Sequence, residues 1–377
     1  MQMTALIACL LLLCLTVLAL EDRRAKTDRA KLTHVVYVNG IRGKSTVTRL
    51  IQAGLREGGY KVFCKTTGTI PMTIGVDGVE RPLKRPGPAN IREQLDILHQ
   101  AAEEKAEVLV IECMAVDPVL QNVSQHRMVM ADVGVITNVR LDHTAEMGET
   151  LEEICDSLSN MIPRNGGLFT ADKRFFSQLE RNAQAVGSEA HLALPDGKEP
   201  EVDFPENLAL AAAVCRHLGV EEETAFAGMA RYRRDPFALS LHCLSGGGVF
   251  VNGMSINDPQ STQLVFRRLA DKYGWKREDL ILLINNRPDR GYRTQHMVAV
   301  AHALKPPVVW LTGASQLTTR RAIVKGVPEA AVSCFDKGAD IPLERVPAGK
   351  VVFAVGNLAG PGHVVMKRVR EEAAEYV

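Results

Sequence analysis

The residues best suited to chemistry form one short glycine-containing loop, Gly40-Ile41-Arg42-Gly43-Lys44-Ser45-Thr46. Glycines allow successive backbone N–H groups to turn toward one anion, and a helix that begins after them adds its dipole. A lysine at this point reaches the β- and γ-phosphates of ATP, and the serine hydroxyl that follows binds Mg²⁺. The loop therefore predicts that residues 40–46 bind ATP, with Lys44 catalytic and Ser45 a metal ligand. The alternative is a chance match at the start of an ordinary helix.

The elements around the loop predict an α/β sheet that would position it. Residues 34–38 are typical of a buried strand, and apolar residues recur at helical spacing from Val47 to Leu55. Alternating strands and helices indicate a mainly parallel sheet whose ligands bind at the carboxyl ends of the strands. Glu112 and Asn138 follow two such strands. Further strands are predicted at residues 61–64, 108–111 and 133–136, and helices at 90–102, where Asn90 is the expected cap, and 206–218.

A second, smaller α/β domain is predicted in the last third of the chain. The segment Tyr232-Arg233-Arg234-Asp235-Pro236 breaks the pattern, and apolar strands resume at residues 249–252, 280–285, 308–312 and 351–355. The sequence thus predicts a central domain over residues 34–240 and a doubly wound domain over residues 241–377. Residues 1–33 form a separate N-terminal segment.

The N-terminal segment predicts a single transmembrane helix that anchors the chain. Residues 5–20 are an almost unbroken apolar run, followed by basic residues from Arg23 to Lys31. Basic residues on that side favour a cytoplasmic body. No basic region precedes the run, which argues against a cleaved signal peptide. A signal peptide and a buried core helix are the alternatives, and residues 21–33 are either a charged linker or the end of an extended anchor helix.

The bulk composition excludes several classes of protein. Lys plus Arg number 45 and Asp plus Glu number 44, so the net charge of +1 gives no basic field for nucleic acid. The 8 cysteines contain no C-x-x-C pair. Reduced thiols in a cytosolic body are expected rather than a zinc site or a disulfide framework.

The loop and the motifs after it resemble the Mur ligase superfamily, which includes folylpolyglutamate synthase. Only two residues separate Gly40 from Gly43, as in the G-T-x-G-K-T-T loop of that superfamily. Residues 137–143, Thr-Asn-Val-Arg-Leu-Asp-His, resemble its T-N-x-x-x-D-H signature, and residues 151–154 follow at the expected distance. Asn207 stands in an N-x-x-x-A helix, and residues 252–259 resemble the start of the family's C-terminal domain.

Within the superfamily the chain most resembles the ligase subunit of poly-γ-glutamate (capsule) synthases. The N-terminal apolar segment, the ATP loop close to the chain start, and residues 286–291 and 355–360 carry this likeness. The resemblance implies an ATP- and Mg²⁺-dependent carboxylate–amine ligase that polymerises glutamate through an acyl phosphate. It also implies a glutamate or poly-γ-glutamate substrate and small membrane subunits as partners.

The resemblance also assigns roles to particular residues. Glu112 and His143 would be catalytic and, with Ser45, metal ligands; the alternatives are a plain ion pair for Glu112 and a loop histidine bonded to Asp142. Asn207 and Arg234 would bind the nucleotide, although Arg234 also fits a solvated arginine. Thr67 and Thr69 would bind substrate unless they form a simple turn. Arg287 and Arg290, with Asp289 and Arg293 nearby, would bind the anionic substrate unless they form a solvated charge run.

Two departures from the family and three rival functions remain open. Leu158 stands near the position of a carbamylated lysine that helps to hold a second metal in many members, and Ile256 replaces a common histidine. The second metal site is therefore expected to be altered. The rivals are an anchored folylpolyglutamate-synthase-like ligase, a regulatory P-loop ATPase or kinase, and a scaffold subunit with a vestigial site.

Overall fold

A computed structural model describes residues 2–68, 70–85, 87–235, 238–256, 258–288, 291–372 and 374–375, with residues 2, 291–293, 374 and 375 described by their backbone alone. The chain divides into two compact units, Met1–Asp235 and Pro236–Val377. The predicted boundary near residue 240 lies close to this division, and the finer domain limits stay predictions.

The first unit begins with one long helix, α1 (Gln2–Ala30). Its residues 3–20 are exposed, and the stretch Met3–Ala30 is long and apolar enough to cross a membrane. The charged segment continues the helix to Ala30, so residues 21–30 extend the apolar helix instead of forming a separate linker. Its last turn packs on the body: Arg29 Nη2 lies 3.0 Å from Asp132 Oδ1, and Asp28 Oδ2 lies 2.9 Å from His99 Nδ1.

The first unit is built on a mixed, mostly parallel sheet. The strand order is β4-β3-β2-β5-β1-β6-β7-β8, in which β3 and β4 form an antiparallel extension and the other neighbours are parallel. The strands are β1 (His34–Asn39), β2 (Val62–Thr66), β3 (Met72–Ile74), β4 (Glu80–Pro82), β5 (Val108–Glu112), β6 (Val133–Ile136), β7 (Gly167–Thr170) and β8 (Glu189–Leu192).

Helices cover both faces of this sheet. They are α2 (Lys44–Glu57), α3 (Glu93–Glu103), α4 (Pro118–Val123), a π-helical segment (Ser124–Val129), α5 (Thr144–Met147), α6 (Leu151–Ser159), α7 (Phe176–Gln184), α8 (Pro205–His217) and α9 (Glu222–Met229). Alternate residues of β1 face opposite cores. Val35 and Tyr37 face the core that contains residues of α3, α6 and α7. Val36 and Val38 face the core that contains residues of α2 and α8.

One predicted helix start is wrong. Asn90 does not cap α3, which begins at Glu93. Instead Asn90 Oδ1 accepts a hydrogen bond from the backbone N–H of Arg92 at 3.0 Å. This local turn competes with helical backbone geometry and delays the helix.

The second unit has its own α/β sheet, in the order β13-β12-β11-β14-β10-β9-β15. Neighbouring strands from β13 to β10 are parallel, and β9 and β15 extend the sheet antiparallel. The elements are β9 (Ser240–Cys243), β10 (Val249–Asn252), α10 (Pro259–Tyr273), β11 (Leu280–Asn286), α11 (Gly291–Leu304), β12 (Val308–Gly313), α12 (Gln316–Gly326), β13 (Ala331–Phe335), β14 (Val351–Val355), α13 (Pro361–Glu372) and β15 (Ala374–Glu375), with 3₁₀ turns at Arg277–Asp279, Gly338–Asp340 and Leu343–Arg345.

Candidate active site

The glycine loop connects the carboxyl end of β1 to α2, at the sheet edge where a ligand site is expected. Gly40 has φ 122° and Gly43 has φ 79°, both in the region that favours glycine. A Cβ on Gly40 would lie 2.1 Å from Thr137 Oγ1, so the loop also packs too closely there for any side chain. The conformation therefore requires the glycines that suggested a phosphate site.

Residues after β6 fix the shape of the loop. Asn138 Oδ1 accepts from the Arg42 backbone N–H at 3.1 Å, and Asn138 Nδ2 donates to the Arg42 carbonyl at 2.9 Å. Thr137 Oγ1 donates to the same carbonyl at 2.6 Å. Thr137 and Asn138 therefore hold the loop in shape through the backbone of Arg42.

An oxygen pair suited to a divalent cation lies beside the loop. Ser45 Oγ donates to Glu112 Oε2 at 2.8 Å, and the Thr67 backbone N–H donates to the same oxygen at 2.7 Å. Glu112 is buried at the end of β5. Hydroxyl and carboxylate oxygens are hard donors that suit Mg²⁺, which is usually held by one or two carboxylates together with substrate phosphates. The donor set therefore fits such an ion, and Ser45 and Glu112 are the residues that would hold it.

In the described part of the chain, no group of three or more His, Cys, Asp and Glu side chains is placed to hold a metal.

Lys44 is the cation of the loop. Its Nζ donates to the Gly40 carbonyl at 2.7 Å, which folds the side chain back over the loop. Burial lowers the pKa of Lys44, and the nearby Glu112 carboxylate opposes that shift. A poorly solvated ammonium group in this position gains most from an added anion, as a phosphate would supply.

His143 follows Asp142, which forms an ion pair with Arg42 of the glycine loop. Arg42 Nη2 lies 2.9 Å from Asp142 Oδ2, and Asp142 is buried. His143 adopts left-handed backbone with φ 53°, and its Nε2 lies 3.8 Å from Asp142 Oδ2 and its Nδ1 3.9 Å from Glu146 Oε2. Its metal role stays a prediction. The ion pair between Arg42 and Asp142 was not predicted, because nothing in the sequence brings these residues together.

Asn207 borders the loop from α8. A Cβ on Gly43 would lie 3.1 Å from Asn207 Oδ1, so the two residues are adjacent. Asn207 Nδ2 donates to Asp203 Oδ1 at 2.8 Å, and Tyr232 Oη donates to Asp203 Oδ2 at 2.8 Å. Arg234 donates to the carbonyl of Val202 on the same side. Asp203 therefore positions Asn207, a role that sequence reasoning missed because Asp203 belongs to no motif.

The other predicted substrate residues stay predictions. Thr69, Asp289 and Arg290 lie outside the described residues, and so does the side chain of Arg293. Arg287 follows β11 in the second unit and is half-buried. Leu158 is fully buried in a hydrophobic core, so it leaves no polar group at the position of the family's lysine.

In β2, the buried Lys65 forms an ion pair that the sequence did not reveal. Lys65 Nζ lies 2.8 Å from Glu93 Oε1, and the Lys65 side chain is fully buried. Burial lowers the pKa of Lys65, and Glu93 opposes the shift. Lys65 follows the predicted strand 61–64 and lies within the observed strand β2. Nothing in the sequence indicates that Glu93, which is 28 residues away, is its partner.

Comparison with known proteins assigns this fold and site to a class. Mur ligase middle domains match residues 38–193, and the poly-gamma-glutamate synthase CapB C-terminal domain matches residues 243–372. The chain is 36% identical to the PGA synthase CapB of Bacillus subtilis (strain 168) over 97% of each protein. It is also 36% identical to the capsule biosynthesis protein CapB of Bacillus anthracis, over 89% of this chain and 76% of that protein.

A solved structure supports the fold independently. It is the bifunctional folylpolyglutamate synthase/dihydrofolate synthase of Yersinia pestis complexed with AMPPNP and a Mn ion, with a TM-score of 0.66 at 15% identity over 92% of each chain.

The loop, the sheet and these matches define a P-loop ligase of the Mur ligase class. Within it, the chain belongs to the poly-gamma-glutamate synthase CapB family.

Proposed function

We propose that this chain is an ATP-dependent carboxylate–amine ligase that polymerises glutamate into poly-γ-glutamate. Membership of the CapB family supports the reaction and the polymer. The observation that carries the proposal is the contact between Ser45 and Glu112 directly beside Lys44. This pair would hold the divalent cation that, together with Lys44, neutralises the phosphates during phosphoryl transfer from ATP.

The reaction has two balanced steps. A γ-carboxylate oxygen attacks the γ-phosphorus of ATP, the bond to the β–γ bridging oxygen breaks, and ADP leaves an acyl phosphate behind. The α-amino nitrogen of a second glutamate then attacks the acyl carbon. The amide bond forms, inorganic phosphate leaves with the former carboxylate oxygen, and the nitrogen releases a proton to water or to a base.

The first step brings two anions together, so neutralising charge and positioning dominate its barrier. Lys44 and the backbone N–H groups of residues 40–46 would cradle the β- and γ-phosphates. Mg²⁺ held by Ser45 and Glu112, with His143 as a further candidate ligand, would supply additional positive charge. Asn207 and Arg234 would contact the nucleotide.

The substrate carboxylates require cations or hydrogen-bond donors outside the phosphate loop. Thr67, which follows β2, and Thr69 are two candidates. Arg287 and Arg290 are the candidates in the second unit. Guanidinium groups match carboxylates with two parallel hydrogen bonds.

The helix α1 supports a location at the cell membrane, with a single span and a cytoplasmic body. ATP is available on that side, and basic residues after the apolar run favour it. We propose that small membrane subunits of a synthesis and export complex bind near this anchor.

The test uses membranes that contain the chain with and without those subunits. ADP release is followed with glutamate alone and with a folate plus glutamate, and the products are analysed. We expect glutamate alone to trigger ADP release and to yield γ-linked polymer. A requirement for the folate would favour the folylpolyglutamate-synthase-like alternative, and complete ADP formation without amide product would favour an ATPase.

A further inference from the structure

An arginine-lined cavity lies in the first unit, outside the residues assigned to ATP. Its volume is about 350 Å³. The walls come from α2, from residues around the β3–β4 hairpin and from the segment after α9. The cations that line it are Arg49, Arg56, Arg231 and Arg233.

The carboxylates in the cavity do not balance these cations. Glu57 Oε2 lies 2.6 Å from Arg231 Nη2. Glu80 pairs with Arg49 and lies 4.0 Å from Arg233 Nη1, so one carboxylate serves two arginines.

Arg56 is the remaining cation. It makes no ion pair among the described residues, and its Nη1 donates to the Val76 carbonyl at 3.0 Å. Among the residues that line the cavity, four arginines face two glutamates. Asp235 and Asp77 add negative charge near Arg49 and Arg56, respectively.

The buried side chain of Arg49 is a second observation that points to an anionic ligand in the cavity. Its side chain is 1% exposed, and its Nε has no hydrogen-bond partner. Its other nitrogens donate to Glu80 and to the Arg233 carbonyl. An unpaired buried N–H of a cation is costly, and an anionic acceptor entering the cavity would relieve that cost.

We propose that this cavity binds the product, by holding free α-carboxylates of a γ-linked glutamate segment. The inference rests on the proposed function, because that function supplies a polymer with one free carboxylate per residue. Guanidinium forks suit carboxylates, and the cavity has room for more than one small anion. Cations spread over α2 and the segment 231–233 suit a ligand with several separated charges.

Two parts of the chain, α2 and the segment from Arg233 to Asp235, connect the cavity to the active site. The helix α2 begins at Lys44 and carries Arg49 and Arg56 farther along its length. The segment that holds Arg233 continues to Asp235, and a Cβ on Gly68 would lie 2.8 Å from Asp235 Oδ2 and 3.6 Å from Ser45 Oγ. Arg49 follows Lys44 by five residues, a rise of about 7.5 Å along α2. A chain held in the cavity would therefore stay near the loop and be retained between additions.

The test compares Arg56→Gln/Arg233→Gln with an equal change of charge elsewhere, Arg181→Gln/Arg216→Gln. All four side chains are exposed, so both variants should fold. The full-length protein in detergent is titrated with a short γ-linked glutamate oligomer of defined length and, separately, with inorganic phosphate. We expect the cavity variant to bind the oligomer about tenfold more weakly and the control variant to bind it normally. Binding by the unchanged protein should weaken as salt is raised.

Polymer length provides the second readout. Membranes with the cavity variant should consume ATP with glutamate at the normal rate but release shorter polymer. Unchanged oligomer binding or unchanged polymer length would overturn the inference, as would phosphate binding as tight as oligomer binding. If the unchanged protein makes no polymer at all, the proposed function fails instead, so the two failures are distinguishable.

Discussion

Replacing Lys44 by alanine is expected to lower the glutamate-dependent rate of ADP formation by about a thousandfold or more, because the phosphoryl group loses its loop cation. Polymer production should stop. The stability of the fold should change little, since Lys44 begins α2 and alanine is a good helix residue. The rate is measured by ADP release at saturating ATP and glutamate, and folding by thermal unfolding of the same preparation.

The matched control is Lys61→Ala, which removes an exposed lysine from the same unit. It should leave both the rate and the polymer unchanged. Polymer production that survives Lys44→Ala would show that the loop is vestigial and that the chain acts as a scaffold.

Glu112→Gln is expected to raise the concentration of divalent metal needed for half-maximal activity by about 10- to 100-fold and to lower kcat strongly. The amide oxygen can still accept from Ser45 and Thr67, but the negative charge is lost. Stability without metal should not fall, because a buried carboxylate is costly to desolvate. Direct titration with Mn²⁺, followed by electron paramagnetic resonance with a non-hydrolysable ATP analogue, separates metal binding from turnover.

Glu223→Gln is the control, since Glu223 is an exposed residue of α9. It should bind Mn²⁺ like the unchanged protein. Equal Mn²⁺ affinity in Glu112→Gln would remove Glu112 from the metal site and return it to the plain hydrogen-bonding role considered from the sequence.

The parts of the fold that follow from local patterns were predictable. The strands at Val133–Ile136, Val249–Asn252 and Val351–Val355 coincide with the predicted ranges. Each is a short apolar run that is buried or nearly so, and such runs identify themselves without knowledge of their neighbours. The glycine loop was equally local, because its strand, loop and helix are continuous in sequence.

The features that were missed depend on contacts between distant segments. The hairpin of Met72–Ile74 and Glu80–Pro82 pairs only three residues per strand and is partly exposed, so it carries no apolar run. Asp203 positions Asn207 and Tyr232 through side-chain hydrogen bonds that no spacing reveals. The cavity arginines come from two segments far apart in sequence, α2 and residues 231–233, and each alone resembles an ordinary surface cation.

The most direct test of ligation through an acyl phosphate is an oxygen-transfer experiment. Membranes that contain the chain and its subunits are supplied with glutamate carrying ¹⁸O in the γ-carboxylate, and the released phosphate is analysed by mass spectrometry. The account predicts one ¹⁸O atom in the phosphate for each amide bond formed, because the carboxylate oxygen that attacks ATP leaves with the phosphate. Phosphate whose fourth oxygen comes only from water would contradict the account and identify the chain as an ATPase.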